Sequence, residues 1–138
     1  MAEMMSGLAA ALAAASSPSW AQRACAGRDL ASFAEAPEAA EALVGLLLDA
    51  EDTAVTRQTA EALTRVGTVG AVRLLALAVA GADGHQADWL QTGVHDALVE
   101  SDSVPDAAAA CRKLARDQDE AVRRAAAEIS AWTDGTRC

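Results

Sequence analysis

Two histidines and an aspartate, His85, Asp88 and His95, fall at i, i+3 and i+10, a spacing that sets them roughly along one side of a single helix. A zinc site gathers three or four ligands, often with histidines one turn apart. Here the histidines stand nearly three turns apart with no cysteine close in sequence, so a solvated polar face is expected, with no metal and no cofactor. The three cysteines, Cys25, Cys111 and Cys138, are odd in number and far apart, which predicts reduced thiols in a cytosolic setting. Cys25 and Cys111, set among alanines, are expected as small core residues, and Cys138 as exposed. No glycine-rich phosphate loop, nucleophile elbow, paired-histidine metalloprotease pattern or calcium loop occurs. Carboxylates are plentiful but sit at helix starts, where they already serve the helix, so no catalytic residue is assigned and the chain is expected to be non-enzymatic.

Charge is the other feature that could do chemistry. The 138 residues carry a formal net charge of −9, which disfavours general binding to the nucleic-acid backbone and favours a basic or neutral protein partner. It is also unevenly laid out. Glu35, Glu38, Glu41, Asp49, Glu51, Asp52 and Glu61 are opposed only by Arg57 over their span, whereas Arg112, Lys113, Arg116, Arg123 and Arg124 outnumber Asp117, Asp119 and Glu120 later on. The competing interpretation is an ordinary solvated surface, in which the basic residues offset turn aspartates and helix dipoles.

The elements that must position these residues read as helices throughout. Apolar residues make up 52% of the chain with only 3% aromatic, an excess that is largely alanine, the best helix former and a residue that lets helices approach closely. No alternating β-branched run of useful length is present, so the fold class is all-α. Ser17 as N-cap before Pro18, Pro37 with Glu38 and Glu41, Asp52, Gly67 followed by Thr68, the loop Gly81-Ala82-Asp83-Gly84, Ser103 before Pro105, and Asp117-Gln118-Asp119 punctuate the chain. They predict eight helices at about 2–15, 18–34, 37–48, 53–65, 68–80, 85–100, 104–116 and 120–133. The apolar opening segment lacks the basic stretch of a secretory signal and is expected as an ordinary first helix; no membrane span is expected elsewhere. Trp20, Trp89 and Trp132 are expected to fill core volume among the alanines, and exposure of Trp20 or Trp132 would instead mark a docking point.

The helices repeat. Placing Asp52, Gln86 and Asp119 in register gives spacings of 34 and 33 and aligns Val55, Trp89 and Val122 at one inward position, then Ala60, Val94 and Ala127. The segment Asp117-Gln118-Asp119-Glu120-Ala121-Val122-Arg123-Arg124 resembles the first-helix signature of HEAT and HEAT-like repeats, and Asp52-Thr53-Ala54-Val55-Thr56-Arg57 is similar with its arginine one place later. That resemblance implies a single α-solenoid of about four antiparallel helix pairs over 1–138, with pairs at 18–48, 52–80 and 85–116, flanked by 2–15 and 119–133. Asp52, Val55, Arg57, Asp117, Asp119, Val122 and Arg123 would be its structural signature residues. A HEAT-like solenoid lines its groove with inner helices, here 2–15, 37–48, 68–80 and 104–116.

The expected function is therefore protein or peptide binding on that inner surface, through Glu38, Glu41, Arg73, Arg112, Lys113 and Arg116. An acidic inhibitor or immunity-type protein for a basic partner is the sharper variant, and self-association through an end repeat is a further possibility. The family also includes tetrapyrrole-pigment lyases and DNA glycosylases; the latter need a basic face, which only Arg112, Lys113, Arg116, Arg123 and Arg124 offer.

Overall fold

The computed structural model describes residues 2–100 and 104–134, and among these it is all-α with eight helices and no strand. They are α1 (Ala2–Ala15), α2 (Trp20–Leu30), α3 (Pro37–Leu47), α4 (Thr53–Val66), α5 (Val69–Gly81), α6 (Gly84–Glu100), α7 (Val104–Leu114) and α8 (Glu120–Asp134). No helix among the described residues is long and apolar enough to cross a membrane.

Local chemistry sets most helix ends. Asp52 caps α4 by accepting the Ala54 N–H at 2.8 Å, Thr68 caps α5 through the Ala71 N–H at 3.1 Å, and Gly67 ends α4 in the left-handed region at φ 67°, where a Cβ would be strained. Three boundaries depart most from expectation. Helix α2 begins at Trp20 with Ser19 as its cap, because the Ser17 hydroxyl is occupied by the Ser19 N–H and the Ser17 carbonyl by the Arg23 guanidinium, which together hold Ser17 and Pro18 in the turn. The expected four-residue loop at 81–84 shrinks to Ala82 and Asp83. Asp83 accepts the Gln86 N–H at 2.7 Å while Gln86 Oε1 accepts the Asp83 N–H at 3.3 Å, a reciprocal cap that lets Gly84 be helical. Helix α2 also gives way at Leu30 to a 3-10 turn over Ala31–Phe33, and the expected Ser103 cap lies outside the described residues.

The helices contact one another in two rows. Odd-numbered helices touch in the order α1, α3, α5, α7 and even-numbered ones in the order α2, α4, α6, α8, with further contacts between rows from α1 to α2, α3 to α4 and α7 to α8. Within the even row, Gly27 of α2 meets Thr59 of α4, and Gly93 of α6 meets the Arg57 carbonyl and Ala60 of α4, so tightly that a Cβ at either glycine would collide. The pairings Arg57 with Asp96 and Arg65 with Glu100 advance together along α4 and α6, so these two helices run parallel. Helix α8 leans on α5 as well as α7, while α6 is held chiefly by α4.

The core runs along the seam between the rows. Leu30, Leu43, Leu47, Val55, Leu63, Val72, Leu75, Leu90, Val94, Leu114, Val122 and Ile129 are essentially inaccessible, each contributing on the order of 1.5–3 kcal/mol of burial. Of the six positions expected to align inward, Val55, Ala60, Val94 and Val122 are buried, Trp89 is half-buried, and Ala127 is exposed. The last departs because α4 has a row neighbour on each side, whereas α8 has only α6 beside it in the row and buries the narrower stripe Val122, Ala125, Ala126, Ile129 and Thr133. Cys111 is core as expected, but Cys25 is exposed: α2 buries Arg23, Ala24, Ala26, Gly27 and Leu30, which turns position 25 outward.

Candidate functional site

The feature with most capacity to hold a ligand is an open cleft of about 700 Å³ across the even row, within the range of small-ligand sites. Its apolar wall comes from Ala31 after α2, Ala54, Ala62 and Val66 of α4, and Trp89 of α6. Three guanidiniums project into it, from Arg28 on α2 and from Arg57 and Arg65 on α4, with Glu61 the one acidic residue in the lining. In a chain of net charge −9 this gathers three cations, set against the carboxylates Glu61, Asp96 and Glu100.

Each arginine is anchored by one edge. Arg57 Nε donates to Asp96 of α6 at 2.6 Å, an ion pair that raises the arginine's pKa, first through the hydrogen bond and then through the charge. Arg65 Nη2 is shared between Glu61 and Glu100, each at 2.9 Å. Arg28 has no carboxylate partner among the described residues; its Nη2 lies 3.0 Å from the Cys25 sulfur. A guanidinium carries five N–H donors, so all three retain donors that no protein acceptor takes. Beyond Trp89 and Thr53 an adjoining cleft of about 300 Å³ is acidic, lined by Asp49, Glu51, Asp52 and Asp83 with His85.

Elsewhere arginines hold turns together. Arg23, buried on α2, donates from Nε to Asp49 in the turn before α4 at 3.0 Å and from Nη1 to the Ser17 carbonyl at 2.9 Å. Asp49 in turn accepts the Glu51 and Asp52 N–H groups. A second such turn precedes α8, where Asp117 receives Arg73 of α5 at 2.9 and 3.3 Å and the Asp119 N–H at 2.9 Å, while Arg123 donates to the Asp117 carbonyl at 2.6 Å. Arg73 and that backbone N–H hold the Asp117 carboxyl below the usual carboxylate range. Burial, by contrast, pushes the Cys111 thiol up to about 11.

Of the residues expected to bind a partner, Arg73 is committed to Asp117, while Glu38 and Glu41 are exposed near the start of α3 and Arg112, Lys113 and Arg116 are exposed at and just after the end of α7, none of these five forming an ion pair among the described residues. Asp119 caps α8 through the Ala121 N–H at 2.9 Å. His85 and Asp88 are exposed and His95 half-buried, and no group of three or more His, Cys, Asp or Glu among the described residues is arranged to hold a metal. Trp20 is 48% exposed at the start of α2, outside the helix seams, in contrast to the core position expected for it; Trp132 packs against the core.

Arg28, Arg65 and Trp89 were not marked as a group by spacing. The signal available was the offset of Arg57, five residues after its cap where Arg23 and Arg123 stand four after theirs. One residue is about 100° of helix rotation, enough to turn Arg57 away from the turn aspartates and toward α6. No family model matches the chain, and neither a curated protein nor a solved structure matches it.

Proposed function

We propose that the chain is a short HEAT-like α-solenoid that acts as a non-enzymatic, cytosolic protein-interaction module. The observation that supports this most is the parallel packing of α4 and α6 through Gly93, with the same close approach between α2 and α4 at Gly27, at a sequence interval of about one helix pair. Repeating helix pairs of this kind generate extended surface more readily than an enclosed pocket. The functional faces are the exposed residues of α3 and α7, Glu38, Glu41, Arg112, Lys113 and Arg116, together with the cleft across the even row.

A second reading, an acidic inhibitor of a basic protein, is favoured by the net charge of −9 and by the acidic cleft at Asp49, Glu51, Asp52 and Asp83. The test is reconstitution. A partner recovered by affinity purification from the source cell is expected to re-form a stoichiometric complex from purified components, and reversing Arg112, Lys113 and Arg116 or Glu38 and Glu41 is expected to weaken it. If no reconstituted complex survives purification while the chain alone turns over a substrate, the interaction reading is lost; salt-sensitive binding of a basic partner selects the inhibitor variant.

A further inference from the structure

We infer that the cleft between α2, α4 and α6 binds an acidic peptide segment with an apolar residue at one end, in a chain whose overall charge would point to basic partners; this rests on the interaction reading above. Three observations lead to it. First, the lining follows α4 from Thr53 to Val66, and fourteen helical residues span about 20 Å. About six extended residues cover that distance, so the shape suits a strand of peptide better than a compact metabolite.

Second, the charges are ordered along that length. Trp89 stands by the Thr53 end of the cleft, Arg57 follows on α4, the contact of Gly27 with Thr59 brings Arg28 level with the middle of α4, and Arg65 lies near the Val66 end. Arg57 and Arg65 are eight residues apart in sequence, which is about 12 Å along a helix. Two carboxylates about four residues apart on an extended chain match that separation, and an apolar side chain beyond the first of them reaches Trp89.

Third, the guanidiniums are held without being consumed. Asp96 takes Nε of Arg57, and Glu61 and Glu100 share Nη2 of Arg65, while among the described residues Arg57 Nη1 and Nη2 and Arg65 Nε and Nη1 keep their donors free of protein acceptors. Half-exposed pairs of this kind contribute little by themselves and exchange readily for an incoming carboxylate. Arg28 has no competing carboxylate at all among the described residues. A bidentate carboxylate bond to such a fork is the strong form of the interaction.

The experiment uses the full chain and a fluorescein-labelled seven-residue peptide with leucine at one end and two glutamates four positions apart, followed by fluorescence anisotropy in about 0.02 M salt. Binding is expected to be at least about tenfold tighter than for the same peptide with lysines, and to weaken at least about tenfold in Arg28→Glu. Arg28 is exposed and its side chain pairs with Cys25 and with no carboxylate among the described residues, so that variant is expected to keep its helical circular dichroism; Trp89→Ala is the second variant and loses the preference for leucine over serine at the apolar position. Equal binding of acidic and basic peptides, or no effect of Arg28→Glu, overturns the inference. So does glutarate alone binding as tightly as the peptide, or a concentration-dependent dimer that Arg28→Glu abolishes, which would assign the cleft to a small dicarboxylate or to a second copy. If the peptide fails while a reconstituted partner still responds to reversal of Arg112, Lys113 and Arg116, the inference falls and the interaction reading stands.

Discussion

Two turns of this molecule are fastened by an arginine–aspartate pair, and they are fastened differently. At the turn before α4, Arg23 and Asp49 are both almost wholly covered, with side-chain exposures of 8% and 11%. At the turn before α8, Asp117 is similarly covered but Arg73 is 41% exposed. The first pair sits beside the seam that α2 and α4 close through Gly27 and Thr59, whereas the second joins α5 to a turn at the rim. A charge shut away from water depends on its partner, because unpaired it would have to be buried alone; a charge at the rim can turn to solvent instead. The α2–α4–α6 side is therefore expected to be the rigid half that holds the cleft, and the α5–α7–α8 side the more forgiving one.

Removing the buried partner tests this most severely. Arg23→Ala is expected to lower unfolding stability by about 3 kcal/mol, since Asp49 would be left covered and the Ser17 carbonyl would lose its donor; a denaturant midpoint close to that of the parent chain would erase the contrast. Next in size is Gly93→Ala, expected to cost about 1–3 kcal/mol because the added methyl must push α6 from the Arg57 carbonyl and Ala60. The same change is expected to loosen the packing of Trp89 of α6 beside α4 and hence alter its fluorescence.

Arg73→Ala is expected to cost several-fold less than Arg23→Ala, and its cost depends on pH. The folded Asp117 carboxyl titrates below its ordinary value of about 3.9. Its pairing therefore stabilises the fold fully above about pH 4, and that contribution disappears as pH falls through the folded value. Melting curves of parent and variant should accordingly converge as pH falls below about 4; a gap that stays constant on acidification would assign the loss to packing alone. The mildest probe leaves the fold untouched. In a Cys138→Ser background, iodoacetamide at about pH 8 is expected to modify exposed Cys25 rapidly and Cys111 hardly at all, because Cys111 is buried with its thiol raised to about 11. Equal labelling of both would show that the α7 side opens far more readily than its packing implies.

Much of this architecture is written locally. Asp52, Gly67 and Thr68 mark helix boundaries in the sequence and do so in the structure, because a cap acts within three residues of itself. Ser17 misleads for a nonlocal reason: Arg23, committed across the fold to Asp49, also takes the Ser17 carbonyl and delays the start of α2 to Trp20. Cys25 reads as interior by its alanine surroundings and Ala127 by the repeat register, yet neither says how many neighbours a helix has, and that number sets the width of its buried stripe.

The candidate site was legible only in part. The arginine-rich end of α7 and the acidic start of α3 stand out as charge runs and are exposed in the structure. The cleft is different, since Arg28, Arg57, Arg65 and Trp89 are drawn from three helices spread over more than sixty positions. What the chain determined by itself was the all-helical class, most of the stops and starts, and the alanine-rich seam, all of which follow from propensity, capping and periodicity over a turn or two. Tertiary structure alone decided that α6 lies against α4, that Arg57 reaches Asp96 and not a turn aspartate, and that three arginines line one cleft with an apolar wall. The physical reason is that these outcomes depend on the rotation and register of whole helices, where a single residue of offset swings a side chain by about 100°.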